Sequence, residues 1–130
     1  MSWNPLSNGR LASGTADIPA YLKAGIRVGM GVDGEASADL ADPFENLRTG
    51  LYAIRDKYED ATIMSPYDVF LLHTMGSADV LNVADRLGSL EPGKRGDLIV
   101  LDRDIFAIDA ADLHATRVTA TYIDGRKVYP

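Results

Sequence analysis

The chain has 130 residues and a formal net charge of −6, with 46% hydrophobic and 25% charged residues. This size fits one compact domain, and this composition is typical of a folded globular protein rather than a disordered one. The acidic residues form no single run and no basic stripe exists, which disfavours nucleic acid and anionic membranes as partners. The chain contains no cysteine, which excludes disulfides and Cys-ligated metals and fits the cytoplasmic location that we predict.

The first third of the chain predicts a loop, a helix and a buried strand. Residues 4–9 have the composition of a turn, with no strand predicted before them. Thr15 is expected to cap a helix that Gly25 ends. The apolar run 26–32 predicts a buried parallel strand that Asp33 and the glycine after it end. A helix followed by such a strand is half of an α/β repeat, so the predicted fold class is α/β.

Two capped helices are predicted next. Asp42 and Pro43 begin the first, and Glu45 is expected to complete a capping box. Its apolar stripe, at alternating steps of three and four residues, comprises Phe44, Leu47, Leu51, Ile54 and Tyr58. Ser65 caps the second helix, which is expected to run to about residue 74 before residues 76–77 interrupt it.

The C-terminal segment predicts a small antiparallel β unit. After the turn-rich residues 88–96, strands are expected at 97–102, 118–123 and 126–129, the last two joined by an Asp124-Gly125 hairpin turn. Three strands leave a face and two edges that need a covering surface. We therefore expect the chain to self-associate through these C-terminal strands.

The segment 29–34 matches the dinucleotide-binding pattern G-x-G-x-x-G. Two features disfavour a nucleotide site there. Asp33 and Glu35 would place negative charge beside a pyrophosphate, and no helix follows directly because the next strong cap is Asp42. Another interpretation makes Asp33 the functional group, since ligands bind at the carboxyl ends of parallel strands and a carboxylate can hold a metal and accept a proton. The local alternative is that Asp33 forms an Asx-turn or caps the next segment.

The two histidines do not complete a metal site. His73 falls inside the second capped helix and His114 in a polar linker, and neither belongs to a His-x-His or His-x-x-x-His pair. Both are expected to serve packing or the surface. Zinc requires three or four protein ligands, and the sequence offers one convincing candidate, Asp33.

Residues 4–8, 11–14 and 24–34 together resemble the last barrel strands of the amidohydrolase superfamily. The similarity is to the branch that contains cytosine deaminase, S-adenosylhomocysteine deaminase and chlorohydrolases. Residues 87–102 are similar to the return of that superfamily into its small β-sandwich. The resemblance implies the last strands and helices of a metal-dependent (β/α)₈ barrel in residues 1–86 and the C-terminal strands of a β-sandwich in residues 87–130. It also implies that the fold is incomplete as given.

The resemblance assigns roles to individual residues. Asp33 matches the metal-binding, proton-carrying aspartate after the eighth barrel strand. The substrate-loop candidates lie in the loops after the seventh and eighth strands: Asn4, Ser7, Asn8, Gly34, Glu35 and Ser37. Trp3 stands where family members often have histidine, so no catalytic role is carried over to that position.

The function that the resemblance implies is hydrolysis of a C–N bond, with deamination of a nitrogen heterocycle by metal-activated water as the expected reaction and zinc or iron as the divalent metal. The other metal ligands of the family would lie upstream of Met1. The isolated chain is therefore expected to bind no metal and to show no turnover. A non-catalytic folded module or an oligomerising fragment is the alternative.

Overall fold

The computed structural model describes the backbone of residues 1–130 and every side chain except that of Ala110. Helices and strands are both present, as expected for an α/β chain. The strands are β1 (Ser2–Trp3), β2 (Gly29–Met30), β3 (Leu98–Leu101), β4 (Val118–Ile123) and β5 (Arg126–Tyr129). The α-helices are α1 (Pro5–Arg10), α2 (Ile18–Lys23), α3 (Glu35–Ala38), α4 (Pro43–Tyr58), α5 (Pro66–Leu71) and α6 (Ser77–Val80). A π-helical turn spans Leu72–Gly76 and a 3₁₀ helix spans Ala110–Ala115.

The N-terminus forms a short parallel sheet. Ser2 pairs with Gly29 and Trp3 with Met30, so β1 and β2 run side by side. The prediction of a turn at residues 4–9 without a preceding strand was wrong, because β1 precedes them and they contain most of α1. The strand is stabilised by a partner 27 positions along the chain, as the pairing of Ser2 with Gly29 shows. A partner so distant leaves no signal in the local sequence.

Strand β2 is shorter than predicted. Pairing covers Gly29–Met30 rather than residues 26–32, because the partner β1 is itself only two residues long. Helix α2 also begins later than expected. Asp17, rather than Thr15, caps it by accepting a hydrogen bond from the Ala20 N–H at 3.2 Å.

Helix α4 is the central element of the core. Asp42 accepts hydrogen bonds from two N–H groups in its first turn, as predicted, whereas the Glu45 carboxylate binds Arg48 instead of completing a capping box. The predicted stripe is buried except for Tyr58, which is 37% exposed at the last turn. The core around the stripe includes Trp3, Ile18, Val28, Met30, Met64, Val69, Leu72, Ile105 and Leu113.

The second helical region is continuous where an interruption at residues 76–77 was predicted. The π-helical turn joins α5 to α6 and brings Gly76 and Ser77 against β2. A Cβ at Gly76 would overlap the Val28 carbonyl, so only glycine permits this close approach. The Ser77 hydroxyl accepts from the Met30 N–H at 3.1 Å and donates to the Met30 carbonyl at 2.9 Å. It thereby satisfies backbone groups of β2 that face away from β1.

The C-terminal strands form an antiparallel sheet in the order β3-β4-β5, which confirms the predicted β unit. Asp124 and Gly125 both have positive φ, at 51° and 73°, as a tight hairpin turn requires. Ile99, Thr121 and Tyr129 form one cross-strand row, and the two apolar members are 46% and 54% exposed. Among the helices that the structure describes, none is long and apolar enough to cross a lipid bilayer.

Candidate functional site

Asp33 lies three residues beyond β2, at the carboxyl end of the parallel pair. Its Oδ2 accepts a hydrogen bond from the Ser7 hydroxyl at 2.8 Å, and its Oδ1 accepts one from the Gly34 N–H at 2.9 Å. Each carboxylate oxygen has room for about two such bonds, so both retain acceptor capacity toward solvent. The side chain is exposed, and its carboxylate is therefore oriented by the protein but accessible.

The backbone at Asp33 adopts the left-handed conformation, with φ of 63°. Aspartate tolerates this region better than most residues, and the bond to the Gly34 N–H is the local contact that makes it tolerable. The N-cap of α3 is Gly34 rather than Asp33, so the capping role that the sequence offered Asp33 is not observed. Asp33 makes a local turn contact, and it also presents a carboxylate at the end of a parallel strand.

The pKa of the Asp33 carboxyl is lowered from its ordinary value. The Ser7 hydroxyl is the main cause, and the Gly34 N–H and the Ser37 hydroxyl add to it. Hydrogen bonds to the charged form favour that form, so Asp33 is ionised at neutral pH. An ionised carboxylate is the state in which a divalent metal can be bound.

The residues that the sequence singled out fall into different environments. Ser37 lies in α3 and donates to the Gly34 carbonyl at 2.9 Å, so Gly34 and Ser37 share the turn that holds Asp33. Asn4 lies against Gly31 and, with its amide nitrogen turned toward that residue, donates to the Gly31 carbonyl at 3.1 Å.

The remaining candidates lie apart from the carboxylate contacts. Asn8 lines a separate cavity with Trp3, Gly14 and Thr15. Glu35 is exposed in the first turn of α3. The structure thus brings Ser7, Gly34 and Ser37 to Asp33, whereas Asn8 faces other neighbours.

The histidines do not converge on Asp33. His73 lies in the π-helical turn, where burial lowers its pKa, and its Nε2 meets no hydrogen-bond partner among the described side chains and backbone. His114 is exposed, and its Nδ1 lies 2.8 Å from the Ala111 carbonyl oxygen. Within the described residues, no group of three or more His, Cys, Asp and Glu side chains is placed to hold a metal ion.

Asn46 is a site residue that we did not identify from the sequence. It is fully buried on the inner face of α4 and bonds to the Leu6 N–H in α1 and to the Gly31 carbonyl just after β2. Its signal was a carboxamide among the apolar positions of an amphipathic helix. Such a residue is expected to have specific partners, because an unpaired buried amide is unfavourable.

The model of the Amidohydrolase family matches residues 5–129. The chain belongs to the amidohydrolase family. It is 33% identical over 135 residues to a 5-methylthioadenosine/S-adenosylhomocysteine deaminase of Symbiobacterium thermophilum, covering 96% of this chain and 31% of that protein. It is 36% identical over 123 residues to the S-triazine hydrolase of Gordonia rubripertincta, covering 94% of this chain and 26% of that protein.

Among solved structures, the amidohydrolase chain is similar to an adenosine deaminase from Xanthomonas campestris with bound zinc. The TM-score is 0.87 and the identity is 29%, over 98% of this chain and 31% of that one. The chain thus spans between a quarter and a third of the length of the curated relatives named above. The relatives are hydrolases and deaminases of heterocycles by name, and one structural neighbour carries zinc.

Proposed function

We propose that this chain is the C-terminal part of a metal-dependent amidohydrolase that hydrolyses a C–N bond, with Asp33 as the carboxylate on the metal side. The observation that carries the proposal is the Asp33 carboxylate at the end of β2, ionised and held by Ser7 and Gly34. Membership of the amidohydrolase family supports the same reaction class.

Asp33 fits a divalent metal as one ligand of several. Its carboxylate is exposed, charged and pre-oriented, which are the properties that a hard or borderline cation requires. A zinc site needs three or four ligands, and the described residues of this chain form no group of three or more His, Cys, Asp and Glu side chains that could hold one. The remaining ligands would therefore come from polypeptide outside these 130 residues. Zinc is favoured by the neighbour that contains it, and iron remains an alternative.

The chemistry divides between the metal and this chain. When bound, a divalent metal lowers the pKa of a water molecule enough to make it a nucleophile near neutral pH. Asp33 would bind the metal through its carboxylate and receive the proton that the water loses. Ser7 would hold the carboxylate in place through its 2.8 Å bond to Oδ2. Of the substrate-loop candidates, Gly34 and Ser37, which share the turn of Asp33, would border the substrate.

We assign residues 1–86 to the last strands and helices of a (β/α)₈ barrel and residues 87–130 to the C-terminal strands of a β-sandwich. The parallel pairing of β1 with β2 supports the first assignment, and the antiparallel order β3-β4-β5 supports the second. The substrate class that the relatives favour is a nitrogen heterocycle, such as an aminopurine or a triazine. The cytoplasmic location and the lack of a nucleic-acid partner stay predictions from the sequence.

A chimera tests this function. The chain would replace the matching segment of the Symbiobacterium thermophilum deaminase, and ammonia release from S-adenosylhomocysteine would be measured with zinc supplied. We expect turnover by the chimera and none by the isolated 130-residue chain. Turnover by the isolated chain, or none by a chimera that circular dichroism shows to be folded, would contradict the proposal.

We also propose that the isolated chain self-associates through the β3-β4-β5 sheet. The exposed row of Ile99 and Tyr129 supports it, since exposed apolar faces and free strand edges favour association. Ile99→Lys is expected to shift sedimentation toward the monomer. Leu22→Lys, at a 42% exposed position in α2, is the matched control and should leave the distribution unchanged. A wild-type chain that sediments as a monomer at high concentration would refute this association.

A further inference from the structure

The Asn46 carboxamide is the fully buried polar group of α4, at 0% exposure. Its Oδ1 accepts a hydrogen bond from the Leu6 N–H at 3.1 Å, and its Nδ2 donates to the Gly31 carbonyl at 3.0 Å. The two partners are 40 and 15 residues away along the chain. One side chain therefore links three segments that the sequence separates.

The Leu6 end of the link supports helix α1. The first N–H groups of a helix have no partner inside it, and a side chain at the cap usually supplies one. Within the described structure, the Asn4 side chain makes no such bond to α1. Asn46 supplies the acceptor from α4 instead, and the next residue after Leu6 is Ser7, whose hydroxyl binds Asp33.

The Gly31 end of the link fixes the approach to Asp33. The Gly31 N–H donates to the Trp3 carbonyl at 2.9 Å, and the Gly31 carbonyl accepts from Asn46 and from the reoriented Asn4 amide. The peptide two residues before Asp33 is thus held from both sides. A Cβ at Gly31 would lie 2.8 Å from the terminal amide of Asn4, so Gly31 and the Asn4 side chain pack closely together.

We infer that Asn46 is the positioning residue of this site: its carboxamide sets helix α1, which carries Ser7, against the strand end of Asp33 and so fixes the hydrogen bond between Ser7 and Asp33. The catalytic meaning of this role rests on the proposed function, whereas the geometric role does not. A carboxamide carries an acceptor oxygen and a donor nitrogen on the same carbon. An ionised aspartate has acceptors only and would lose the bond to Gly31, and a leucine would lose both bonds.

The test uses nuclear magnetic resonance on the 130-residue chain at pH 7. Ser7→Ala removes the hydroxyl and gives reference shifts for the Asp33 carboxyl carbon and the Gly34 amide proton once the bond is broken. Asn46→Leu, which keeps the branching at Cγ and carries no polar atom, removes both bonds, and Asn46→Asp keeps the acceptor toward Leu6. Ile54→Ala is the matched control. Ile54 is also fully buried in α4, but the hydrogen bonds to Leu6 and Gly31 come from Asn46.

We expect Asn46→Leu to move the Asp33 and Gly34 signals at least halfway toward their Ser7→Ala positions. It should also speed hydrogen exchange of the Leu6 amide at least tenfold more than Ile54→Ala does. If Asn46→Leu does not fold, Asn46→Asp should move the Asp33 signals while the Leu6 amide stays protected. Asp33 signals within the range of the Ile54→Ala control would overturn the inference. The chain needs no metal or substrate for this readout, so a failure of the proposed function would leave the result intact.

Discussion

Gly50 of α4 packs directly against Trp3 of β1 and Met30 of β2, and Gly50→Ala should destabilise the chain. A Cβ there would lie 2.5 Å from the Met30 Cε, 2.9 Å from the Trp3 Cη2 and 3.0 Å from the Pro5 Cγ. All three distances are well below the roughly 3.5–4.0 Å at which carbon atoms attract each other. The Met30 methyl can move, but the Trp3 ring is 2% exposed and cannot turn away without disturbing the core.

Two opposing effects determine the size of the change. Alanine favours a helix interior over glycine by about 1 kcal/mol. Forcing an extra methyl group into a packed core costs about 1–3 kcal/mol, and three short contacts place Gly50 in the upper part of that range. The net loss in the free energy of unfolding is therefore about 1–2 kcal/mol. For a chain of this length it corresponds to a Tm lower by roughly 3–10 °C.

Differential scanning calorimetry measures this change, and Gly9→Ala is the matched control. Gly9 lies in α1, and no described atom would come within 4 Å of its Cβ. The control should therefore gain about 0.5–1 kcal/mol from helix propensity alone. A Gly50→Ala chain whose Tm equals or exceeds that of the wild type would refute the packing argument.

Two further predictions concern hydrogen bonds outside the site. Tyr58→Phe removes the hydroxyl that binds Asp17, the cap of α2, so thermal unfolding should begin at lower temperature and the Ala20 amide should exchange faster. Asp102 is held by Arg103 and the Arg117 N–H, which lowers the pKa of its carboxyl to about 2. Because the folded pKa lies below the unfolded value of about 3.9, this contribution to stability is present above pH 4 and is lost as the pH falls toward 2. Urea unfolding from pH 6 to pH 2.5 should show a shallower loss for Asp102→Asn than for the wild type.

The elements that the sequence predicts well are those with local causes. Helix α4 follows from the Asp42 cap and the apolar spacing after it, and the β4–β5 hairpin follows from Asp124-Gly125. Strand β1 was missed because its pairing with β2 covers two residues and joins positions 27 residues apart. The placement of Asp33 at a strand end could be predicted, since the end of an apolar run is visible in the sequence.

The contacts of the candidate site could not be predicted from the sequence either, because they join residues that lie far apart along the chain. Ser7 was identified as a loop residue, but its bond to Asp33 joins positions 26 residues apart. The roles of Asn46 toward Leu6 and Gly31 depend on how α4 packs against α1 and the end of β2. A single sequence does not encode such distances in any local pattern. The resemblance to amidohydrolases supplied the role that we propose for Asp33, which local chemistry alone left open between ligand and turn.

The role of Asp33 is tested most directly in the deaminase chimera. Asp33→Asn keeps the shape of the side chain and removes its charge. Asp39→Asn is the control, because it removes the charge of a nearby carboxylate at the end of α3 that pairs with Arg10 at 2.7 Å. We predict that the Asp33→Asn chimera loses ammonia release by at least about 100-fold, as expected when a proton-carrying group is removed, and retains less zinc after dialysis. The Asp39→Asn chimera should keep both. Equal zinc content and equal ammonia release in the Asp33→Asn chimera and the unchanged chimera would contradict the account.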